Sequence, residues 1–182
     1  MAIRSGKTQS STFRQINGGL TGTAIYSVSS TTGHQGRDNI GLHLTYAKGP
    51  LTAVFSAQRV RTAAVAPSSG QYLYLAGAAY DARFMKVYGA AQMTSNNNVE
   101  TGSHTYELGV SVPLTPSNVI LAEWALTKHS APLNHSNVRN TASLAHEYIL
   151  SKRTFVYTVY SYDKLTANPS GSTYGVGMQH TF

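Results

Sequence analysis

The sequence is short of several features that define common protein classes. Its 182 residues include no cysteine and one tryptophan, and 12% are charged. It has no stretch of about 18 apolar residues, which excludes a transmembrane helix. The absence of cysteine fits an oxidising compartment but decides little, because many cytosolic domains also lack it. Twelve Tyr and 16 Gly, with much Thr, Ser and Ala, favour many short β-strands instead.

Runs of like charge and a secretion signal are also missing. The formal net charge is +7, but no five or six like charges are consecutive. The dense basic groups, Arg59 to Arg61 and Lys152 to Arg153, lie at predicted strand ends, which argues against a nucleic-acid interface. Residues 1–11 contain Arg4 and Lys7 but no apolar core of a signal peptide, so an exported chain is expected to have lost its signal or to be a fragment.

The clearest pattern is alternation of apolar and polar residues over about ten positions, the length of a tilted strand that crosses a bilayer. For example, Tyr106, Leu108 and Val110 alternate with Glu107 and Gly109. The pattern predicts strands over residues 20–29, 38–47, 50–60, 71–81, 84–94, 104–113, 118–128, 140–150, 153–163 and 172–182, with a weaker strand over 8–16. The segment 153–163 is ambiguous because both of its faces carry aromatic residues.

The predicted connections alternate between short and long. Short ones, rich in turn-forming or charged residues, are 47–50, 81–83, 113–117 and 151–152. Longer polar ones are 30–37, 61–70, 95–103, 128–139 and 164–171. This rhythm is typical of an all-β, transmembrane, antiparallel up-and-down β-barrel, with periplasmic turns and external loops. We expect a single barrel domain over residues 1–182.

A soluble sandwich or lipocalin-like barrel is the alternative, since its strands also alternate. Such a barrel fills its interior with large apolar side chains and exposes Lys and Glu. Here the polar face is mostly Thr, Ser, Gly and Gln, which are too small and too polar for a dry core. The apolar face is therefore expected to meet lipid.

Aromatic residues cluster by strand end, as expected for girdles at the two headgroup levels of a membrane. Predicted for the short-turn end are Tyr46, Tyr80, Tyr148, Phe155 and Phe182. Predicted for the long-loop end are Tyr72, Tyr74, Tyr106 and Tyr162.

Several segments resemble the later part of Gram-negative general porins, especially the β-proteobacterial type. They are Leu44–Leu51, Ala78–Asp81 with Lys86–Gly89, Tyr106–Val112, Tyr148–Thr154 and Gly175–Phe182. The resemblance is clear from about Arg37 to Phe182 and weak over residues 1–19. The terminal Phe182 resembles the signal that the barrel-assembly machinery recognises.

The resemblance implies a sixteen-stranded homotrimeric barrel in the outer membrane, in contact with lipid and lipopolysaccharide. Its water-filled lumen would be narrowed by a loop that folds inward. Only ten or eleven strands are predicted here, so the first strands and that loop have no counterparts. Because an open sheet edge is costly in lipid, the chain must either close as a narrower barrel or find further strands.

The expected function is an outer-membrane porin, a passive diffusion channel for small hydrophilic solutes and ions. The net charge predicts a mild anion preference if the basic residues face the permeation path. Alternatively, Arg61, Lys128, Arg139 and Lys164 attract lipopolysaccharide. The residues predicted to line the lumen are His43, Lys86, Tyr88, Gln92, Glu107, Glu123, Glu147 and Gln179. An adhesive or structural barrel and a non-conducting truncated porin are the other interpretations.

An enzyme is the least favoured interpretation. A barrel hydrolase needs a nucleophile with His in reach, and His146 with Glu147, His104 near Glu100, or His129 with His135 match no catalytic spacing. His129 and His135 also lack a nearby Cys or paired carboxylate for a metal. No glycine-rich phosphate loop leads from a strand into a helix, so we expect no cofactor.

Overall fold

We describe a computed structural model of the protein over residues 15–31, 34–61, 70–96, 101–130 and 137–181. Phe182, Glu100, His135 and most of the weak predicted strand 8–16 lie outside these described residues. Over the described ranges, no helix is long and apolar enough to cross a membrane.

Eleven antiparallel strands form one sheet, and each strand pairs with the next along the chain. The strands are β1 (Gln15–Asn17), β2 (Leu20–Thr31), β3 (His34–Lys48), β4 (Leu51–Arg61), β5 (Gly70–Asp81), β6 (Lys86–Asn96), β7 (Thr101–Thr115), β8 (Asn118–Ser130), β9 (Asn137–Ser151), β10 (Thr154–Leu165) and β11 (Gly171–His180). This order confirms the predicted all-β, up-and-down arrangement. Among the described residues, β1 and β11 are not paired with each other, so the sheet is open at both edges.

The strands extend further into the long-loop end than predicted. β3 begins at His34 rather than 38, and β9 begins at Asn137 rather than 140. Residues 34–37, added to β3, include no apolar side chain, and residues 137–139, added to β9, include a single one, Val138. Strand pairing needs only backbone groups, so the sequence pattern misses both extensions. Arg139, which was expected in a loop, therefore lies within β9, paired with Thr127 and Leu165.

The two faces of the sheet differ in exposure. In β5, Tyr74 and Tyr80 on the apolar face are 43% and 53% exposed, while Leu73 and Leu75 on the other face are half-buried. Among the described residues no hydrophobic side chain is buried, so the sheet has no apolar core. A soluble sandwich or small soluble barrel requires such a core. The exposed apolar face is instead suited to lipid, and the more crowded polar face to the concave side of a curved sheet.

Strand pairing settles the ambiguous segment at β10. Tyr157 is paired with Glu147 and Gly177, which places it on the polar face. Tyr160 is paired with Leu144 and Tyr174 on the apolar face.

The same register places Phe155 on the face opposite to the other described aromatic residues that were predicted for a girdle. Phe155 pairs with Ile149 and Gln179, so it lies on the polar face beside Tyr157. Their ring centroids are 6.2 Å apart. The prediction failed here because alternation alone could not assign the two aromatic faces of this strand.

The first tight turn, Gly18–Gly19, connects β1 to β2 at the same end as the Gly49–Pro50 turn. The amide of Ala47 donates a hydrogen bond to the carbonyl oxygen of Gly19 at 2.8 Å. Gly19 has φ of 93°, and a Cβ there would collide with the carbonyl oxygen of Ala47. Both the left-handed backbone and the close approach of two strands therefore favour glycine at this position.

Replacing Gly19 by Val is expected to destabilise the fold, because the left-handed conformation alone costs about 1–2 kcal/mol for an L-residue and the new Cβ meets backbone. The control is Gly171→Val, since Gly171 has open space around it and no left-handed backbone. The measurement is the thermal unfolding midpoint in detergent, followed by circular dichroism. Equal midpoints for the two variants would contradict the assignment of this turn.

Arginine at Leu144, halfway along β9 and 53% exposed on the apolar face, is expected to cost about 2–4 kcal/mol if this face meets the bilayer interior. Ala145→Arg is the matched control because the neighbouring side chain lies on the polar face. The free energy of folding into lipid vesicles, measured by denaturant titration, separates the two variants. A larger cost at Ala145 would reverse the orientation of the sheet.

Candidate functional site

The polar face forms a continuous surface across the sheet and is the candidate functional site. The register places on it every residue predicted to line a lumen: His43, Lys86, Tyr88, Gln92, Glu107, Glu123, Glu147 and Gln179. Their shared face is a finding, whereas their role as pore lining stays a prediction.

Across β7 to β10, the polar face carries rows of hydroxyl groups that bond between neighbouring strands. The hydroxyls of Thr105 and Thr127 are 3.0 Å apart, and those of Ser143 and Ser161 are 2.8 Å apart. Small hydroxyl side chains on adjacent strands satisfy one another without projecting far from the wall. These pairs give this half of the polar face patches of small hydroxyl groups between the strands.

One ion pair joins β9 to β10 on this face. Nε of Arg139 donates to Oδ1 of Asp163 at 2.7 Å, and the hydroxyl of Thr141 donates to the same oxygen at 2.7 Å. The sequence prediction missed this pair because Arg139 was assigned to a loop. Arg139 and Asp163 thus neutralise each other.

The remaining carboxylates on these strands are not neutralised in this way. Glu107, Glu123 and Glu147 lie on β7, β8 and β9, and the described part of the chain provides no salt-bridge partner for them. Lys86 also lies on the polar face, on β6 and directly opposite Asp81 of β5. The β7–β9 wall therefore has an excess of negative charge.

Two tyrosines lie flat over glycines of the neighbouring strand. The ring of Tyr88 covers Gly109, and the ring of Tyr157 covers Gly177; in each case a Cβ on the glycine would overlap the ring. Gly109 is itself buried. On the side away from Tyr88 it pairs with Glu123 of β8. The missing Cβ lets the ring lie along the wall instead of projecting into the space in front of it.

Across β2 to β4, the same face is free of carboxylates. Nδ1 of His43 is 2.6 Å from the hydroxyl of Ser56, and its Nε2 is 2.9 Å from the hydroxyl of Thr45. Both ring nitrogens are thus occupied by hydroxyls. No described carboxylate orients the imidazole, so His43 and Ser56 lack the third member of a catalytic triad.

The basic side chains lie mainly on the apolar face or at strand ends. Lys128 and Lys164 are on the apolar face near the long loops, paired with Val138 and Asn140. Arg59 is on that face too, with its guanidinium carbon 5.8 Å from the centroid of the Tyr72 ring. The basic side chains that the structure describes therefore do not give the polar face an excess of positive charge.

The predicted girdle residues, apart from Phe155 and the undescribed Phe182, share the apolar face. Tyr46, Tyr80 and Tyr148 lie toward the short turns, and Tyr72, Tyr74, Tyr106 and Tyr162 toward the long loops. The structure adds Tyr160 and Tyr174 to this face, with ring centroids 4.9 Å apart. Their membrane role stays a prediction.

The candidate hydrolase pairs are not brought together. His146 lies on the apolar face, 3.1 Å from the side-chain oxygen of Asn118, whereas Glu147 faces the polar side. His104 is also on the apolar face, beside Lys128, while His129 lies on the polar face. No group of three or more His, Cys, Asp or Glu within the described ranges is placed to hold a metal ion.

Residues 4–168 match the Gram-negative porin family. The chain belongs to that family. The match begins well before the segments that carry the sequence resemblance and so includes the weakly matched start of the chain. No curated protein sequence matches the chain.

Several solved structures share the fold of this porin-family chain. An anion-selective porin from Comamonas acidovorans aligns with a TM-score of 0.79 at 21% identity, over 92% of this chain and 57% of that one. OmpT of Vibrio cholerae, expressed in the outer membrane, aligns with a TM-score of 0.77 at 11% identity, over 92% of this chain and 62% of that one. A trimer form of OmpT aligns at 0.69 and 9% identity, over 88% and 64%. The chain thus spans about three fifths of the porins it resembles.

The replacement Gly109→Ala is expected to destabilise the porin wall by about 1–3 kcal/mol, because the added methyl overlaps the Tyr88 ring. In a Tyr88→Ala background the same replacement is expected to cost much less. A double-mutant cycle of unfolding free energies measures this coupling. Additive effects would show that Tyr88 does not lie on Gly109.

Proposed function

We propose that the protein is part of the wall of a passive pore in the outer membrane, through which small hydrophilic solutes and ions diffuse. The observation that carries this proposal is the inverted sheet: exposed apolar residues on one face, and a crowded polar face with glutamates and hydroxyls on the other. A face of this kind is stable next to water inside a closed barrel. Membership of the Gram-negative porin family supports the same function.

We propose that the open edges of β1 and β11 are completed by further strands. Unpaired backbone groups in hydrocarbon cost several kcal/mol each, so the sheet cannot lie open in a bilayer. The 57% coverage of the Comamonas porin is consistent with a larger barrel. We further propose that residues 1–182 belong to one barrel domain.

We propose a homotrimer, in line with the trimer form of OmpT, and recognition of Phe182 by the barrel-assembly machinery. Lipopolysaccharide is a further proposed partner. Lys128, Lys164 and Arg59 lie near the long loops on the apolar face, where lipid phosphates would be in reach. The Glu107, Glu123 and Glu147 side chains face the other way, so they do not oppose this contact.

The ion preference is proposed from the sorting of charge between the two faces. A mild anion preference would need positive charge along the permeation path, and the described strand wall does not supply an excess of it. We therefore propose that any anion preference comes from loops and strands beyond this wall. The glutamates of β7–β9 favour cations instead.

No enzymatic role is proposed. The support is the separation of His146 from Glu147 on opposite faces and the lack of a described carboxylate at His43. An adhesive barrel and a truncated, non-conducting porin are outcomes of the experiment below.

Purified, folded protein added to planar lipid bilayers is expected to produce stepwise conductance. Folding is checked first, as a shift in gel mobility on heating. Folded protein without channels would overturn the pore and favour an adhesive or truncated barrel. Hydrolysis of added phospholipid by protein with no conductance would instead point to an enzyme.

Neutralising the three glutamates together (Glu107→Gln, Glu123→Gln, Glu147→Gln) is expected to shift the reversal potential in a salt gradient toward anions. One charge acts on an ion roughly 10 Å away with about 0.4 kcal/mol in water. Each replacement should therefore change the permeability of the anion and of the cation by about twofold in opposite directions, and their ratio by about fourfold. The control is Lys128→Gln on the apolar face, which should leave the ratio unchanged. A shift from the control alone would place the permeation path on the other face.

A further inference from the structure

A recess opens on the polar face between β2, β3 and β4, away from the charged β7–β10 wall. Its volume is about 300 Å³, the lower end of the range for small-molecule sites. Gly41 forms its floor, flanked on the neighbouring strands by Ile25 and Gln58. Along β3, Asn39 and His43 border the floor on either side.

The glycine is not required by the packing of the sheet. A Cβ at Gly41 would come no closer than 3.9 Å to the carbonyl oxygen of Ala57 or to Cγ of Gln58. This differs from Gly109, where the Tyr88 ring occupies the space. The gap above Gly41 is left open by the surrounding side chains.

One polar atom at the recess has no partner. The side-chain oxygen of Asn39 is shielded from solvent and accepts no hydrogen bond in the structure. An unsatisfied acceptor of this kind costs about 1–3 kcal/mol. Because the oxygen is shielded, a ligand hydroxyl can donate to it, and remove that cost, only when the Asn39 side chain rotates toward the recess.

The lining consists of uncharged hydrogen-bonding groups beside an apolar patch. The amides of Asn39 and Gln58 each offer donors and acceptors in one plane, which suits the adjacent hydroxyls of a sugar. Both nitrogens of His43 are engaged by Ser56 and Thr45, so its ring presents carbon edges. Together with Ile25, which is 49% exposed, it provides a surface for the C–H groups of a sugar ring.

We propose that this recess binds a neutral carbohydrate of monosaccharide size. The inference rests on the proposed pore function, in which the polar face borders the permeation path, and it adds a solute class that is held on the wall. None of the described lining residues carries a charged side chain, which selects against charged solutes, because an ion would exchange its hydration for uncharged groups. The open mouth limits the affinity to a dissociation constant on the order of 1 mM or weaker.

The test is a saturation-transfer NMR titration of detergent-solubilised full chain with glucose, and with gluconate as a charged probe of similar size. Glucose is expected to bind and gluconate to bind much less. Gln58→Ala removes an amide and is expected to weaken glucose binding about 2- to 10-fold, the effect of one uncharged hydrogen bond. Gly41→Leu fills the recess and is expected to abolish binding.

Gln92→Ala is the matched control, because it removes the same side chain from the same face on β6. Glucose affinity that is unchanged in all three variants, equal binding of gluconate, or no glucose binding to the parent protein would overturn the proposal. Glucose binding without channels in planar bilayers would contradict the pore and leave the recess standing. Channels without glucose binding would contradict the recess proposal and leave the pore standing.

Discussion

The structure depends on the hydrogen bonds between neighbouring antiparallel strands, because the residues that it describes form no apolar core to hold it together. Each described strand from β2 to β10 is paired along both edges. In a lipid environment an unpaired backbone group costs several kcal/mol, so this pairing is worth far more than the same pairing in water. The side chains then only need to suit the medium in front of them. Leu, Val and Tyr predominate on one face, and Ser, Thr, Gln and Glu are concentrated on the other, where Leu73, Leu75 and Phe155 are exceptions.

This constraint explains which parts of the structure could be predicted from the sequence. Alternation with a period of two reports directly on the two media, so the strands and the sides of His43, Glu123 and Gln179 follow from it. It fails where a residue type suits both faces, as at Phe155 and Tyr157. It also fails where the added strand residues include no apolar side chain, as over residues 34–37 of β3. There the backbone pairs without any signal in the side-chain pattern.

The contacts within the candidate site could not be predicted from the sequence, for a different reason. The Arg139–Asp163 pair joins residues 24 positions apart, and its geometry depends on the register between β9 and β10. The cover of Gly109 by Tyr88 and the open floor at Gly41 depend on neighbouring strands in the same way. A glycine in a strand looks the same in the sequence whether a ring lies on it or not. Only the register distinguishes a filled gap from an empty one.

The distribution of charge shows why the total was a poor guide. A formal charge of +7 describes the whole chain, whereas a solute in a lumen would be influenced mostly by the groups closest to it. Arg59, Lys128 and Lys164 are separated from the polar face by the thickness of the sheet. The absence of an apolar core among the described residues also affects how far the amino-acid sequence can diverge. A buried core demands that neighbouring side chains fit one another, but side chains that face a fluid have no such partner. Substitutions on the outer face can therefore accumulate independently, and the same wall can persist at 21% identity with a TM-score of 0.79.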